Sequence, residues 1–140
     1  ILGLLKSNKI TNCIYSDTEF LIEHFSHYQN KKTLVFCDIE GAEKSLLNPH
    51  KASGLLDMDI VVEAHDCFDK TISSDLTSGF SHSHRIEIIY DNGGRTLNEA
   101  PDWFVNLGHL DQLLSLWEWR SGPTPWLVMK SKSANLLLKH

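Results

Sequence analysis

The sequence has few of the features that mark disulfide-rich, membrane-spanning or nucleic-acid-binding proteins. It has 3 cysteines in 140 residues, and none has the Cys-x-x-Cys spacing typical of zinc sites and redox pairs. No apolar run reaches the roughly 20 residues that a transmembrane helix requires. The 13 lysines and arginines are scattered, and the net charge of -5 does not favour binding to phosphate backbones. We therefore expect a soluble, cytoplasmic protein with reduced cysteines that binds neither a membrane nor nucleic acid.

Glycine is also scarce, and its placement limits which cofactors these residues can hold. None of the 8 glycines forms a G-x-G turn between a strand and a helix, the turn that lets a nucleotide-like cofactor approach the backbone. The chain begins with Ile1 rather than Met, which indicates a fragment, a processed product or an incomplete reading frame. Its length suits one hydrophobic core, so residues 1–140 are expected to form a single, partial domain.

Apolar runs and helical patterns alternate along the chain. Strands are predicted at residues 10–15, 34–37, 59–64, 85–90 and 125–129. Helices are predicted at residues 16–28, 42–47, 73–80 and 103–119. This alternation favours an α/β fold, with a mostly parallel sheet covered by helices on both faces. In such sheets the ligand crevice lies beyond the carboxyl ends of the strands.

Acidic residues and a histidine follow two successive predicted strands. Asp38 and Glu40 come directly after one strand, whereas Glu63 and His65 come at the end of the next. Neighbouring strands lie about 5 Å apart, so these side chains are expected to face one crevice. Such a cluster suits a general base or a hard, oxygen-preferring cation. The alternative is structural: Glu43 would cap a helix, Glu63 would form a salt bridge, and His65 would be a loop histidine with its hydrogen bonds satisfied.

A second pair of histidines does not predict a metal site. His82 and His84 alternate before a predicted strand, so both side chains point the same way. No further ligand stands at a spacing typical of zinc sites. No metal ligand is therefore assigned.

An unusual segment, residues 117–126, combines three tryptophans, one arginine and two prolines. Trp119 and Arg120 are candidates for the wall of a substrate pocket, in which the arginine would bind an acidic group. The alternative is that the tryptophans only cover one end of the sheet.

The segment Val35-Phe-Cys-Asp-Ile-Glu-Gly-Ala-Glu43 resembles the signature of FkbM-like methyltransferases, in which an Asp-x-Glu-Gly-x-Glu element follows the fourth strand of the class I fold. Asp59-Ile-Val-Val-Glu63 is similar to the fifth strand of that family. Residues 85–90 and 126–130 correspond to the last two strands, whose antiparallel pairing characterises class I methyltransferases, and residues 10–15 to the third. The resemblance implies a Rossmann-like sheet, mostly parallel with an antiparallel last strand, whose N-terminal strands are missing here.

The resemblance also implies an activity. S-adenosylmethionine would be the cofactor, and the acceptor would be a hydroxyl or amine of a small molecule. Asp38 and Glu40 would face the methyl donor and the substrate, while Glu63 and His65 would line the acceptor side. His65 or Asp38 would act as the base for a hydroxyl acceptor.

Cofactor contacts are implied for a different part of the chain. Ser16 and Asp17 follow the predicted third strand, where such enzymes contact adenine, and Asp38 would also bind the cofactor. Phe36 stands where the family commonly has lysine, which implies a different substrate chemistry.

Two other functions remain open, together with a prediction about assembly. The chain could be a non-catalytic α/β binding module that uses the Trp-rich segment, or a metal-dependent hydrolase that uses Asp38, Glu40, Glu63 and His65. A strand left without its neighbour exposes hydrogen-bonding groups along one edge. We therefore expect either that residues 10–15 pair with the strand at 34–37, or that two chains form a homodimer there.

Overall fold

A four-stranded sheet forms the centre of the computed structural model, which describes residues 2–91, 100–117 and 121–133. The strands are β1 (Leu34–Cys37), β2 (Asp59–Glu63), β3 (His84–Ile89) and β4 (Trp126–Ser131). Their spatial order is β1-β2-β4-β3. The four strands predicted from residue 34 onward are confirmed to within two residues at each end.

The α/β class is confirmed, but the prediction of a mostly parallel sheet is wrong. Only β1 and β2 pair in parallel, because β4 lies between β2 and β3 and runs antiparallel to both. The insertion of this one strand makes two of the three pairings antiparallel. The expected antiparallel direction of the last strand is confirmed by the same pairings.

Short helices connect the strands. The α-helices are α1 (Leu2–Ser7), α2 (Glu43–Leu46), α3 (Ile72–Phe80), α4 (Asp102–Val105) and α5 (His109–Ser115), and the 3₁₀ helices are Ile22–Tyr28 and Ser53–Asp57. The long helix predicted at 103–119 is instead two helices, because Gly108 has extended backbone angles and begins α5. Among the residues that the structure describes, no helix has both the length and the apolar composition needed to cross a membrane.

The hydrophobic core lies on one face of the sheet. Alternate strand residues point into it, as the 180° periodicity of a strand requires: Ile60, Val62, Leu127 and Met129 are all fully buried. They form one cluster with the apolar side of α3, which contributes Ile72, Leu76 and Phe80 at helical spacing. On the opposite face at the β1 end, Leu34 and Phe36 stay largely exposed.

The strand predicted at residues 10–15 is absent, which is a second correction. These residues are exposed coil, and Ile14 is 99% exposed. A strand needs a hydrogen-bonding neighbour, and β1, the outer strand of the described sheet, pairs with β2 alone. The expectation that residues 10–15 pair with β1 is therefore wrong as well.

The helix predicted at 16–28 begins later than expected. The hydroxyl of Ser16 bonds to the hydroxyl and the backbone N–H of Thr18, so it does not cap a helix. The 3₁₀ helix starts after Leu21, whose N–H donates to Nδ1 of His24 at 3.0 Å. Only the second half of the predicted helix is formed.

Candidate functional site

The site begins at the turn that follows β1. Glu40 and Gly41 have φ angles of 56° and 104°, so two consecutive residues adopt the positive φ that side chains disfavour. A Cβ atom at Gly41 would lie 3.2 Å from Cδ2 of Phe68, which explains why glycine occupies this position. The turn reverses the chain so that α2 starts at Glu43, and it brings three carboxylates to the end of β2.

Glu43 and His65 form a buried pair at the centre of the site. The side chains are 0% and 1% exposed, and Nδ1 of His65 lies 2.5 Å from Oε1 of Glu43. The same oxygen accepts the backbone N–H of Gly41 at 3.0 Å. A buried carboxylate requires such donors, so Nδ1 carries the proton of the imidazole and donates it to Glu43.

The orientation of the histidine ring is fixed by the hydrogen bond at Nδ1 and by stacking on one ring face. His65 lies two residues beyond the end of β2, where Ala64 still donates its N–H to the carbonyl of Pro125. The ring of Phe68 stacks against the imidazole, with 5.8 Å between centroids and 17° between planes. The remaining ring nitrogen, Nε2, therefore has one fixed direction.

Nε2 of His65 points towards the two exposed acids of the turn. It lies 3.3 Å from Oε2 of Glu40 and 3.7 Å from Oδ1 of Asp38, and it makes no hydrogen bond within the described parts of the chain. Glu40 and Asp38 are 74% and 46% exposed, so the cluster joins a buried nitrogen to two oxygens at the surface. One ligand atom from each of the three residues lies within 4.8 Å of the others.

Of the residues chosen from the sequence, the structure brings together Asp38, Glu40 and His65. Glu63 is buried at the end of β2, in register with Trp126, and does not belong to the three-residue cluster. Ser16 and Asp17 lie in exposed coil. Trp119 and Arg120 lie outside the described residues.

Glu43 is the residue that sequence reasoning missed. From the sequence it is expected only in the structural alternative, as a helix cap, and it does stand in the first turn of α2. Its burial and its bond to His65 depend on the turn geometry, which the residue types alone do not reveal. The signal available in the sequence is Glu43 itself, the third acid of the motif, whose side chain the turn directs inward.

Burial also settles the state of the nearby thiol. Cys37 ends β1 and is buried, and this burial, together with the charges of Glu43 and Asp38, raises its pKa to about 12. The thiol remains protonated at neutral pH, so Cys37 is not a nucleophile of this site.

An apolar cavity of about 300 Å³ lies beside β1. Its walls include Phe20, Phe25, Tyr28, Leu34, Phe36 and Ile39. Because Ile39 stands between Asp38 and Glu40 in the chain, the cavity lies next to the acidic turn. A molecule bound in this cavity would contact mainly aromatic and aliphatic side chains.

Comparison with known proteins supplies no relative whose function could be carried over. A scan against models of known protein families, a search of curated proteins and a search of solved structures all found no match. The functional conclusion therefore rests on the geometry of the cluster and on the sequence resemblance.

Proposed function

We propose that this chain forms the acceptor-side half of an S-adenosylmethionine-dependent methyltransferase domain that acts on a hydroxyl or amine of a small molecule. The observation that carries the proposal is the convergence of Asp38, Glu40 and His65 beyond the carboxyl ends of β1 and β2. This is the edge where parallel strands of α/β sheets bind their ligands.

The strand pairing supports the same proposal. The resemblance to FkbM-like methyltransferases implies that the last two strands pair antiparallel, and β3 and β4 do so over six residue pairs. It also implies that the motif turn follows a strand that has a parallel neighbour, as β1 has in β2.

The described residues do not provide a cradle for the cofactor. The 140 residues contain no G-x-G turn, and Ser16 and Asp17, which the resemblance assigns to adenine, lie in exposed coil. The cavity beside β1 is lined mainly by apolar and aromatic side chains. The proposal therefore requires residues outside this sequence to bind most of the methyl donor.

What the cluster itself can do is remove a proton from the acceptor. Because Nδ1 of His65 donates to Glu43, the lone pair of Nε2 is directed at the carboxylates. A carboxylate behind an imidazole holds the ring in one tautomer and stabilises the charge that forms when Nε2 takes a proton. The exposed Asp38 is thus one candidate base for an acceptor hydroxyl, and the buried His65 is the other, for an acceptor that displaces the exposed acids or reaches Nε2 through one water.

The test uses the full-length protein that contains this chain, supplied with radiolabelled S-adenosylmethionine and a panel of small hydroxyl and amine compounds. We expect labelled methyl to be transferred, and His65→Gln to reduce the rate about 100-fold or more. His82→Gln is the matched control because His82 is exposed and outside the cluster. The proposal fails if the intact protein neither binds nor consumes the methyl donor, or if His65→Gln retains full activity.

A further inference from the structure

Two buried atoms of the site have no hydrogen-bond partner among the described residues, Nε2 of His65 and Oε2 of Glu43. Nε2 of His65 is buried and makes no hydrogen bond to any described residue. Leaving such an atom unsatisfied costs free energy, because it loses its hydrogen bonds to water and gains none in the protein. The ring cannot turn to relieve this cost, since Nδ1 is bonded to Glu43 and Phe68 stacks on the ring face.

The neighbours of Nε2 make the arrangement more unfavourable still. With the proton on Nδ1, Nε2 carries a lone pair, and it faces carboxylate oxygens of Glu40 and Asp38 that also carry only lone pairs. Three acceptors therefore converge with no donor between them. A single proton on Nε2 would serve one carboxylate, whereas a cation between the three atoms would serve all of them.

We infer that Asp38, Glu40 and His65 form a binding site for one divalent cation of the Mn²⁺ type. Metal–ligand bonds of about 2.0–2.2 Å place neighbouring ligand atoms roughly 3 Å apart and opposite ones about 4.4 Å apart. The separations of 3.3 and 3.7 Å from Nε2 fall inside this range. All three ligand atoms lie within 4.8 Å of one another, and the two carboxylates are on exposed side chains that can adjust to an ion.

Glu43 completes the arrangement from behind. Histidines that bind metals usually donate their other ring N–H to a carboxylate, which orients the ring and raises the basicity of the ligand nitrogen. Glu43 accepts the Nδ1 proton of His65 and is itself fully buried, so it cannot turn away to solvent. It is a positioning residue rather than a ligand.

The ligand set favours a transition-metal dication over Mg²⁺, and Mn²⁺ is the one we use as the probe. Carboxylates suit Mg²⁺, Ca²⁺ and Mn²⁺, while imidazole suits the transition metals, so one imidazole with two carboxylates favours Mn²⁺ over Mg²⁺. Three protein ligands leave positions for water or for an oxygen of a bound molecule. The sequence leaves a cation at this cluster open but assigns no metal ligand to it. A cation on Nε2 would occupy the lone pair that otherwise takes the acceptor proton, so the bound cation and the His65 base are alternative states of the cluster. The inference does not depend on methyl transfer.

The test titrates MnCl₂ alone into the protein without any methyl donor, using calorimetry and electron paramagnetic resonance. We expect one Mn²⁺ per chain, at least tenfold weaker binding of Mg²⁺, and a ¹⁴N coupling from the imidazole in the pulsed spectrum. His65→Gln should abolish the coupling, and Glu43→Gln should weaken binding about 10–100-fold. His82→Gln and Glu87→Gln, both exposed and outside the cluster, should bind Mn²⁺ like the unchanged protein.

Two results would overturn the inference. One is no binding at millimolar Mn²⁺, and the other is Mn²⁺ binding that shows no nitrogen coupling and is unchanged in His65→Gln. Circular dichroism checks that each variant is folded. If His65→Gln does not fold, Glu40→Gln replaces it, because that side chain is mostly exposed and its loss should still weaken binding at least tenfold. Methyl transfer that persists without Mn²⁺ binding would remove this inference and leave the proposed function standing.

Discussion

Two histidines, His65 and His84, are buried to the same degree but differ in what their ring nitrogens contact. Nε2 of His84 donates to the carbonyl of Met58, and Nδ1 accepts the hydroxyl of Ser83, both at 2.8 Å. His84 is therefore satisfied by its own fold and has a structural role. His65 is satisfied on one side only, and this difference at a single nitrogen atom separates the candidate site from the rest of the core.

His84 should make the stability of the fold depend on pH. Burial holds its pKa below the ordinary value of 6.5, so the unfolded chain binds a proton at a higher pH than the folded chain does. Stability is then fully present above pH 6.5 and is lost as the pH falls from 6.5 towards the folded pKa. Urea unfolding at several pH values from 5 to 8 should show this loss.

The variant His84→Gln isolates this effect. It should lower stability at pH 8, because the core loses a satisfied ring, and it should also flatten the slope below pH 6.5. The exposed His82 provides the control, since His82→Gln should leave the slope unchanged. A slope that is equally steep in His84→Gln would assign the pH dependence to another group.

At the scale of the element, the turn between β1 and α2 determines the geometry of the site. Its two positive φ angles direct Glu43 inward while Asp38 and Glu40 stay at the surface. Side chains disfavour this backbone geometry, and such strain is commonly found at functional sites. Glu40 carries the strain with a full side chain, and this is consistent with a role for its carboxylate.

Gly41→Ala should destabilise the fold by about 1–3 kcal/mol, since an alanine at φ 104° is strained and its Cβ meets the ring of Phe68. Urea unfolding measures the change. Gly3→Ala is the matched control, because Gly3 lies in α1 with nothing within 4 Å of an added Cβ. That variant should leave stability unchanged or raise it slightly. Equal effects at both glycines would contradict the role assigned to the turn.

At the scale of the whole molecule, the sheet is covered unevenly. The core lies on one face, while β1 forms an edge of the described sheet and exposes Leu34 and Phe36 beside the apolar cavity. An unpaired, apolar strand edge favours pairing with another chain. The homodimer expected from the sequence remains a prediction, and β1 is the strand through which we expect it to form.

Phe36→Lys should prevent this association, because a charge on an edge strand opposes pairing with a second copy. Light scattering after size exclusion, over a range of protein concentrations, should show a mass that rises in the unchanged protein but not in the variant. Ile89→Lys is the matched control, since Ile89 is exposed on β3, the opposite edge. If the protein without a substitution stays monomeric at all concentrations, the dimer is ruled out.

The sequence by itself determined where most elements lie, since four apolar runs became β1 to β4 and the spacing of Ile72, Leu76 and Phe80 became the buried side of α3. It also brought Asp38, Glu40 and His65 to one edge, because residues after neighbouring parallel strands must meet there. An apolar pattern shows which residues of a strand are buried. It does not show whether the neighbouring strand runs parallel or antiparallel, because the same residues are buried in both cases.

Only the tertiary structure decided the rest. It placed β4 between β2 and β3, and it left residues 10–15 as coil, with no strand of the described ranges 2–91, 100–117 and 121–133 paired to them. It also buried Glu43 against His65 and left Nε2 without a partner. These outcomes depend on backbone angles at two residues of one turn and on which strands are neighbours, and neither property is encoded in the local pattern of residue types.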